Sequence, residues 1–199
     1  IPIFHIGGGD LTYGAQDDNI RHAITKLSWI HAAYNIESKK RIIQLGENPK
    51  RVFYCGNPGT ERLKSIKFKK KIELENIYNF KFEKKNILIT YHSVTHNKLS
   101  PKKDFVEILK GIQNLKNTKL IFTYPNSEAN NKIIIKMIDK FVIKNENAIS
   151  VKSLGSHNYF SLLKYVDCIL GNSSSGILEA PSFKIATINI GDRQKGRIQ

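Results

Sequence analysis

The sequence predicts an α/β protein with parallel sheets in two units, and three observations carry that reading. Short apolar runs such as 86–91 and 166–170 have the length of strands buried on both faces of a parallel sheet. They alternate with amphipathic stretches, as in Ile20, Ala23, Ile24 and Leu27 at the three-and-four spacing of a helix. The alternation occurs twice, once on each side of a Lys-rich segment near 69–85, and alternating strands and helices are the pattern of βαβ sheets.

Taken in order, residues 1–6 read as a strand running into Gly7, Gly8 and Gly9, where the backbone must turn sharply or be closely approached. Asp17 and Asp18 open a helix, acids being favoured at that end by its dipole. A strand at 29–34, a helix at 37–45 stopped by Gly46 and Asn48-Pro49, a strand at 51–55 and a turn at 56–60 into a short helix complete the first unit. The second begins with a strand at 86–91 that ends at His92. A helix from Pro101 to 115, a strand at 119–123 with the exit loop Tyr124-Pro125-Asn126, and a helix at 129–144 follow. Then come a strand at 148–152, a helix at 157–165, a strand at 166–170, a short helix ended by Pro181, and a strand at 185–190.

Composition bounds the function. The chain has 199 residues, 40% of them hydrophobic, enough for one large core or two small ones. Its 32 basic and 17 acidic residues give a net charge of +15, which suits a polyanionic partner or a small anionic substrate. The excess is densest at 64–85, read here as a solvated connector, because aromatics are not spaced there on strands as stacking platforms for nucleic acid. Cys55 and Cys168 fall on expected strands without C-x-x-C spacing and read as buried free thiols of a reducing, cytoplasmic compartment. No apolar run approaches the ~18 residues of a membrane span and no signal peptide is visible, so no membrane partner is expected. The chain lacks an initiating Met, opens on what reads as a central strand and stops after another; both ends read as cut, and a fragment is expected.

The stretch 171–197 carries the clearest chemistry. A strand passing through Gly171-Asn172-Ser173-Ser174-Ser175-Gly176 into a helix aims free N–H groups at one spot that suits a phosphate. Ser173 and Ser174 add hydroxyl donors, and Glu179, one turn on, is placed to accept from ribose hydroxyls. Gly191-Asp192-Arg193 puts a guanidinium at the carboxyl edge, where open α/β sheets bind ligands. The plainer reading is a Ser-rich helix cap with a solvated Arg. Glu179 and Arg193 together with the Ser run favour the anion site. The exits at His92, Asn126, Ser173 and Arg193 all follow strands and share one edge in a parallel sheet.

Four strings, HIGGGDLTYGAQDDNIRHAITKLSWIHAA, RVFYCGNPGTERL, ILITYHSVTHN and GNSSSGILEAPSFKIATINIGDRQKGR, together resemble the hydrolysing UDP-N-acetylglucosamine 2-epimerases of sialic acid biosynthesis. The resemblance covers nearly the whole chain and is weakest in the connector. It implies a glycosyltransferase-B-like fold, two Rossmann-like domains facing a cleft, truncated at both ends. Residues 1–84 are then the end of the first domain plus the connector, and 85–199 a second, UDP-binding domain without its final helices. The implied reaction eliminates UDP across C1 and C2 to a 2-acetamidoglucal, then adds water to give N-acetylmannosamine, with no metal or nicotinamide cofactor. The implied partners are a UDP-sugar substrate and further copies of the chain in a homo-oligomer, with no nucleic acid.

Residue by residue, the resemblance implies that Asp17 is an acid/base carboxylate and that His92 faces the phosphates. It places Asn126 on the uridine side, Ser173, Ser174 and Glu179 in the UDP-binding run, and Arg193 as the basic residue after the last strand. Read without it, Asp17 is a helix cap and His92 a loop histidine. One position departs from the family pattern H-I-E-G-G-E: Gly7 stands where the resemblance implies a second catalytic Glu. Asp10 keeps an acid three residues on and is a third catalytic candidate, with a structural loop role as its alternative. Loss of a positioned acid/base group lowers rates roughly 100- to 10,000-fold, so the chain is expected to keep UDP-sugar recognition better than turnover, and Gly7→Glu to raise turnover. A silent UDP-sugar-binding homologue and an epimerase of a UDP-diacetamido sugar are the alternatives; a nucleic-acid binder rests on charge alone.

Overall fold

The computed structural model of the chain describes residues 1–12, 17–93, 101–126 and 131–197. The chain forms two compact units, Ile1–Ser65 with Asp192–Gln199, and Ile66–Gly191.

The first unit holds a three-stranded parallel sheet in the order β1 (Phe4–Ile6), β2 (Ile30–Ala33), β3 (Val52–Tyr54), with helices α1 (Asp17–Leu27), α2 (Ile36–Gln44) and α3 (Pro58–Glu61). Helix α2 starts where it does because the Asn35 side chain accepts from the Ser38 N–H at 2.7 Å, an N-cap bond. Its Ile42 closes a small core with Ala33 and Val52. The apolar face expected on α1 is not buried: Ile20, Ile24 and Leu27 are exposed, as are Phe4, Ile6 and Phe53 of the sheet. Helical spacing marks a face fit for burial and says nothing about which layer covers it. Cys55 is likewise exposed and Cys168 only partly buried, against the expectation of two buried thiols. Cys55 directly follows the edge strand β3, whose Phe53 and Tyr54 are exposed as well, while its N–H still donates to the Ala33 carbonyl.

The second unit is a five-stranded, all-parallel sheet in the order β6-β5-β4-β7-β8. Its strands are β4 (Lys85–Thr90), β5 (Thr118–Thr123), β6 (Ala148–Val151), β7 (Cys168–Gly171) and β8 (Ala186–Asn189). Leu88 of β4 is in register with Ile121 of β5 and Ile169 of β7, and all three are fully or almost fully buried, as parallel strands covered on both faces require. Helices α5 (Pro101–Ile112) and α6 (Asn131–Lys144) bring Phe105, Ile134 and Ile138 onto Leu120 and Phe122. The start expected for the latter helix at residue 129 lies outside the described residues. Strand β8 forms the other edge, and all four of its residues are exposed.

The Lys-rich segment is not simply a solvated connector. It contains α4 (Lys71–Tyr78), whose Leu74 is fully buried, ended by Asn79 in the left-handed conformation. The Lys69 N–H donates to Ser161 Oγ at 3.0 Å, Tyr78 Oη donates to the Leu154 carbonyl at 3.2 Å, and Asn158 Nδ2 donates to Tyr78 Oη at 2.8 Å. These bonds fasten 66–84 to α7 (Gly155–Leu163) and its preceding turn. The break between units therefore falls after Ser65, not at 84/85 as the sequence suggests, and the last residues return to the first unit, where Arg197 pairs with Asp10 at 2.5 Å. Leu74→Ala should destabilise the second unit by about 2–5 kcal/mol, the cost of emptying a fully buried leucine site, measured by urea titration.

The first unit buries two histidines. His5 Nδ1 is hydrogen-bonded to Thr25 Oγ1 at 3.2 Å, and His31 Nε2 stands 3.3 Å from Glu47 Oε2, which also pairs with Lys26. Burial, then the neighbouring His31 and Arg21, hold His5 below the ordinary histidine range, and the Lys26 hydrogen bond holds the Glu47 carboxyl below the carboxylate range. A base with a depressed folded-state pKa favours the native state when neutral. As pH falls through the ordinary histidine value, the unfolded chain takes a proton that native His5 refuses, so stability is lost on acidification. The urea midpoint should be flat above about pH 7 and fall towards pH 5, and His5→Gln should flatten that fall; Glu47 adds its loss only at lower pH.

Candidate functional site

The order of the second sheet reverses between β4 and β7, and open parallel sheets bind ligands beyond the carboxyl ends of their strands at such a point. Two residues past β4 and one past β7, His92 and Asn172 are joined by reciprocal bonds. The His92 N–H donates to Asn172 Oδ1 at 2.7 Å, and Asn172 Nδ2 donates to the His92 carbonyl at 2.8 Å. The Asn172 N–H also donates to the Thr90 carbonyl at 3.1 Å. This approach needs glycine at 171, whose φ is +139° and where a Cβ would stand 1.9 Å from the Thr90 oxygen. His92 Nδ1 accepts from the Asn126 N–H at 3.3 Å, so the neutral ring carries its proton on Nε2.

A cavity of about 320 Å³ opens here, of a size that takes a small ligand. It brings together three of the sequence candidates, His92, Asn126 and Ser173, with Thr90, Thr123, Tyr124, Lys152, Ser153, Ser156, Tyr159 and Ser175. Burial pushes the Tyr159 phenol up to about 12, with the Glu179 charge adding and the hydrogen bond to Ser175 opposing, so its proton stays on throughout the neutral range. The Tyr124 hydroxyl donates to Asp139, which raises its pKa. Among the described residues the lining is mostly hydroxyls, with the Asn126 amide, the Lys152 ammonium, the His92 imidazole and Leu154, and it holds no carboxylate. Such a wall suits a polar, anionic ligand.

The other candidates lie elsewhere. Ser174 and Glu179 are half-buried and outside the cavity lining. Glu179 is the joint between α8 (Ser175–Leu178) and α9 (Ala180–Phe183). Pro181 does not end a helix, as expected from the sequence; it sits in the first turn of α9, where a missing N–H costs nothing. Arg193 is half-buried in the segment grouped with the first unit, not with the sheet it follows. In the first unit, Asp10 is paired with Arg197 at 2.5 Å, and its carbonyl accepts from Arg21 at 2.9 Å. Asp18 accepts from the Thr12 N–H at 2.9 Å and from Arg21 at 3.3 Å. Asp17, the first residue of α1, is exposed and makes no hydrogen bond or ion pair among the described residues.

Gly7 has φ +82°, and a Cβ there would meet the Tyr34 ring at 2.7–2.9 Å. A glutamate at 7 is therefore strained and displaces Tyr34, which removes the basis for expecting Gly7→Glu to raise turnover. Sequence reading missed Tyr34, Asn172 and the hydroxyls of Thr90 and Thr123. The two threonines end β4 and β5, a position from which their role was readable; Tyr159 projects from a helix face and gave no such signal. Among the described residues, no three His, Cys, Asp or Glu side chains converge to hold a metal, and no helix is long and apolar enough to cross a membrane.

Comparison with known proteins decides the family. The sequence model of the family described as UDP-N-acetylglucosamine 2-epimerase matches residues 1–199. This chain belongs to that family. Among curated relatives, a GDP/UDP-N,N'-diacetylbacillosamine 2-epimerase (hydrolyzing) of Campylobacter jejuni is 44% identical over all of this chain and 52% of its own length. A UDP-N,N'-diacetylbacillosamine 2-epimerase (hydrolyzing) of Legionella pneumophila is 34% identical over 99% of this chain and 52% of its own length. The chain thus spans about half the length of these relatives. The crystal structure of UDP-GlcNAc 2-epimerase from Neisseria meningitidis bound to UDP-GlcNAc superposes with a TM-score of 0.76 at 20% identity, over 98% of this chain and 54% of that one. The fold of this family member is accordingly α/β and glycosyltransferase-B-like, with the two parallel sheets described above. Asn172→Ala removes both of its hydrogen bonds to the His92 backbone and should cost roughly 1–3 kcal/mol for each, read as a lower urea midpoint of the second unit.

Proposed function

We propose that the protein carrying this chain is a hydrolysing 2-epimerase of a UDP-2-acetamido sugar. It eliminates UDP to leave a 2-acetamidoglucal and hydrates that intermediate to the free 2-epimeric sugar. The cavity at the β4/β7 switch point is the observation that carries the reading: a fixed imidazole N–H, a ring of hydroxyls and Lys152 suit a nucleoside diphosphate. In this reading His92 and Ser173 contact the phosphates, Asn126 the uridine side, and Ser174, Glu179 and Arg193 complete the UDP site. Asp17, exposed and uncommitted among the described residues, is the base that takes the C2 proton; Asp10, held by Arg197, is the weaker candidate. The sequence suggested N-acetylglucosamine as the sugar, whereas both relatives above are named for the diacetamido sugar, which favours the latter as the first substrate to test. A silent UDP-sugar-binding homologue is the second reading, favoured by the absence of a carboxylate at Gly7.

Proton NMR in D₂O separates these readings. The protein as its gene encodes it should release UDP from one of the two UDP-sugars and give the 2-epimer with deuterium at C2. UDP binding without conversion of either sugar would establish the silent homologue. Asp17→Asn should lower kcat by roughly 100- to 10,000-fold while UDP affinity, measured by calorimetry, stays within about twofold.

A further inference from the structure

Elimination followed by hydration requires two proton transfers at C2, one away from carbon and one back to it. To invert the centre, they occur on opposite faces. An ionised carboxylate accepts only, whereas a phenol carries a proton to give, so two groups of different kind suit the two steps. At the carboxyl edge of the first sheet most protonatable groups are already engaged. Asp10 is paired with Arg197, Asp18 with Arg21 and the Thr12 N–H, and His5 is buried against Thr25.

Apart from Asp17, the acceptor in the reading above, Tyr34 is the exception. It directly follows β2, half-buried, and its hydroxyl makes no hydrogen bond among the described residues. Its backbone is fixed on both sides: the Ala33 carbonyl accepts from the Cys55 N–H at 3.0 Å, and Asn35 caps α2. Its ring lies against Gly7, where a Cβ would stand 2.8 Å from Oη and 2.7 Å from Cζ. The space beside Gly7 at this edge is thus filled by a phenol contributed by the neighbouring strand.

We propose that Tyr34 is the catalytic acid of the hydration step, an inference that rests on the epimerase reading above. Asp17 takes the C2 proton while the C1–O bond breaks and UDP leaves with the bonding pair. Water oxygen then bonds to C1, the C1=C2 electrons take the Tyr34 proton at C2, and the phenolate is reprotonated by the proton lost from that water. Asp17 gives up its proton to solvent as the products leave, and the sum is UDP-sugar plus water giving UDP plus the 2-epimer.

Tyr34→Phe removes one oxygen and keeps the ring against Gly7, so melting temperature and UDP affinity should match the wild type. With whichever UDP-sugar the wild type converts, the variant should release the 2-epimer roughly 100-fold more slowly, with KM within about twofold. It should also accumulate the 2-acetamidoglucal, visible by its vinyl proton, because elimination outpaces hydration. Wild-type rates in Tyr34→Phe, or slowing of both steps without glucal, would overturn the role of Tyr34 and leave the epimerase reading intact. A wild type that converts neither sugar would overturn both.

Discussion

The reciprocal pair between Asn172 and the backbone of His92 is the constraint on which the second unit's site depends. At the end of a strand the backbone N–H and C=O lose their ladder partners, and buried ones must find others. A carboxamide both accepts and donates without charge, so the buried Asn172 satisfies both groups of His92 at once. With the His92 backbone fixed and Nδ1 engaged by the Asn126 N–H, the ring has one orientation and one neutral tautomer. The cavity's donors are set before any ligand arrives, which is what makes fixed dipoles effective around a diphosphate.

The first unit is organised by ion pairs instead of amides. Arg197 and Arg21 converge on Asp10 through its carboxylate and carbonyl, and Arg21 also reaches Asp18, which accepts from the Thr12 N–H and has His22 beside it. The Asp10–Arg197 pair is largely buried, with each side chain 13% exposed, so removing one partner strands the other's charge. The same network sorts the acids of this edge into structural and available ones. Asp10 and Asp18 are committed to holding the glycine loop and the start of α1, which leaves Asp17 as the carboxylate open to solvent.

Much of this was legible in the sequence, for a physical reason. Strands such as β4 and β5 are continuous apolar runs because both faces are covered, and the residues after them stand at the carboxyl edge whatever the details of packing. His92, Asn126 and Ser173 could therefore be gathered from position alone. Features decided by tertiary contacts were not readable. Leu74 and Tyr78 sit one turn apart in α4, but the lysines around them conceal the pattern. The return of 192–197 to the first unit depends on a pair, Arg197 with Asp10, separated by nearly the whole chain. The α8/α9 break at Glu179 and the exposure of Cys55 likewise depend on what lies alongside. The family itself was legible because its strings are long; the sugar it acts on was not.

Gly7 shows how a sequence can report a loss where the structure holds an exchange. Ile6 is in register with Ala32, so Gly7 and Tyr34 leave adjacent strands within a residue of each other, and only one of them can fill the space between. With glycine at 7, the left-handed backbone is unstrained and the ring of Tyr34 closes over it. A side chain at 7 must evict that ring and also distort the loop held by Arg41 and Arg197. The two positions are therefore one unit energetically. Their substitutions should be non-additive: a smaller residue at 34 relieves the clash met by a side chain at 7, while the strain of its left-handed backbone remains. A chain that has glycine at one position and tyrosine at the other has a protonatable group of a different kind, supplied from the neighbouring strand.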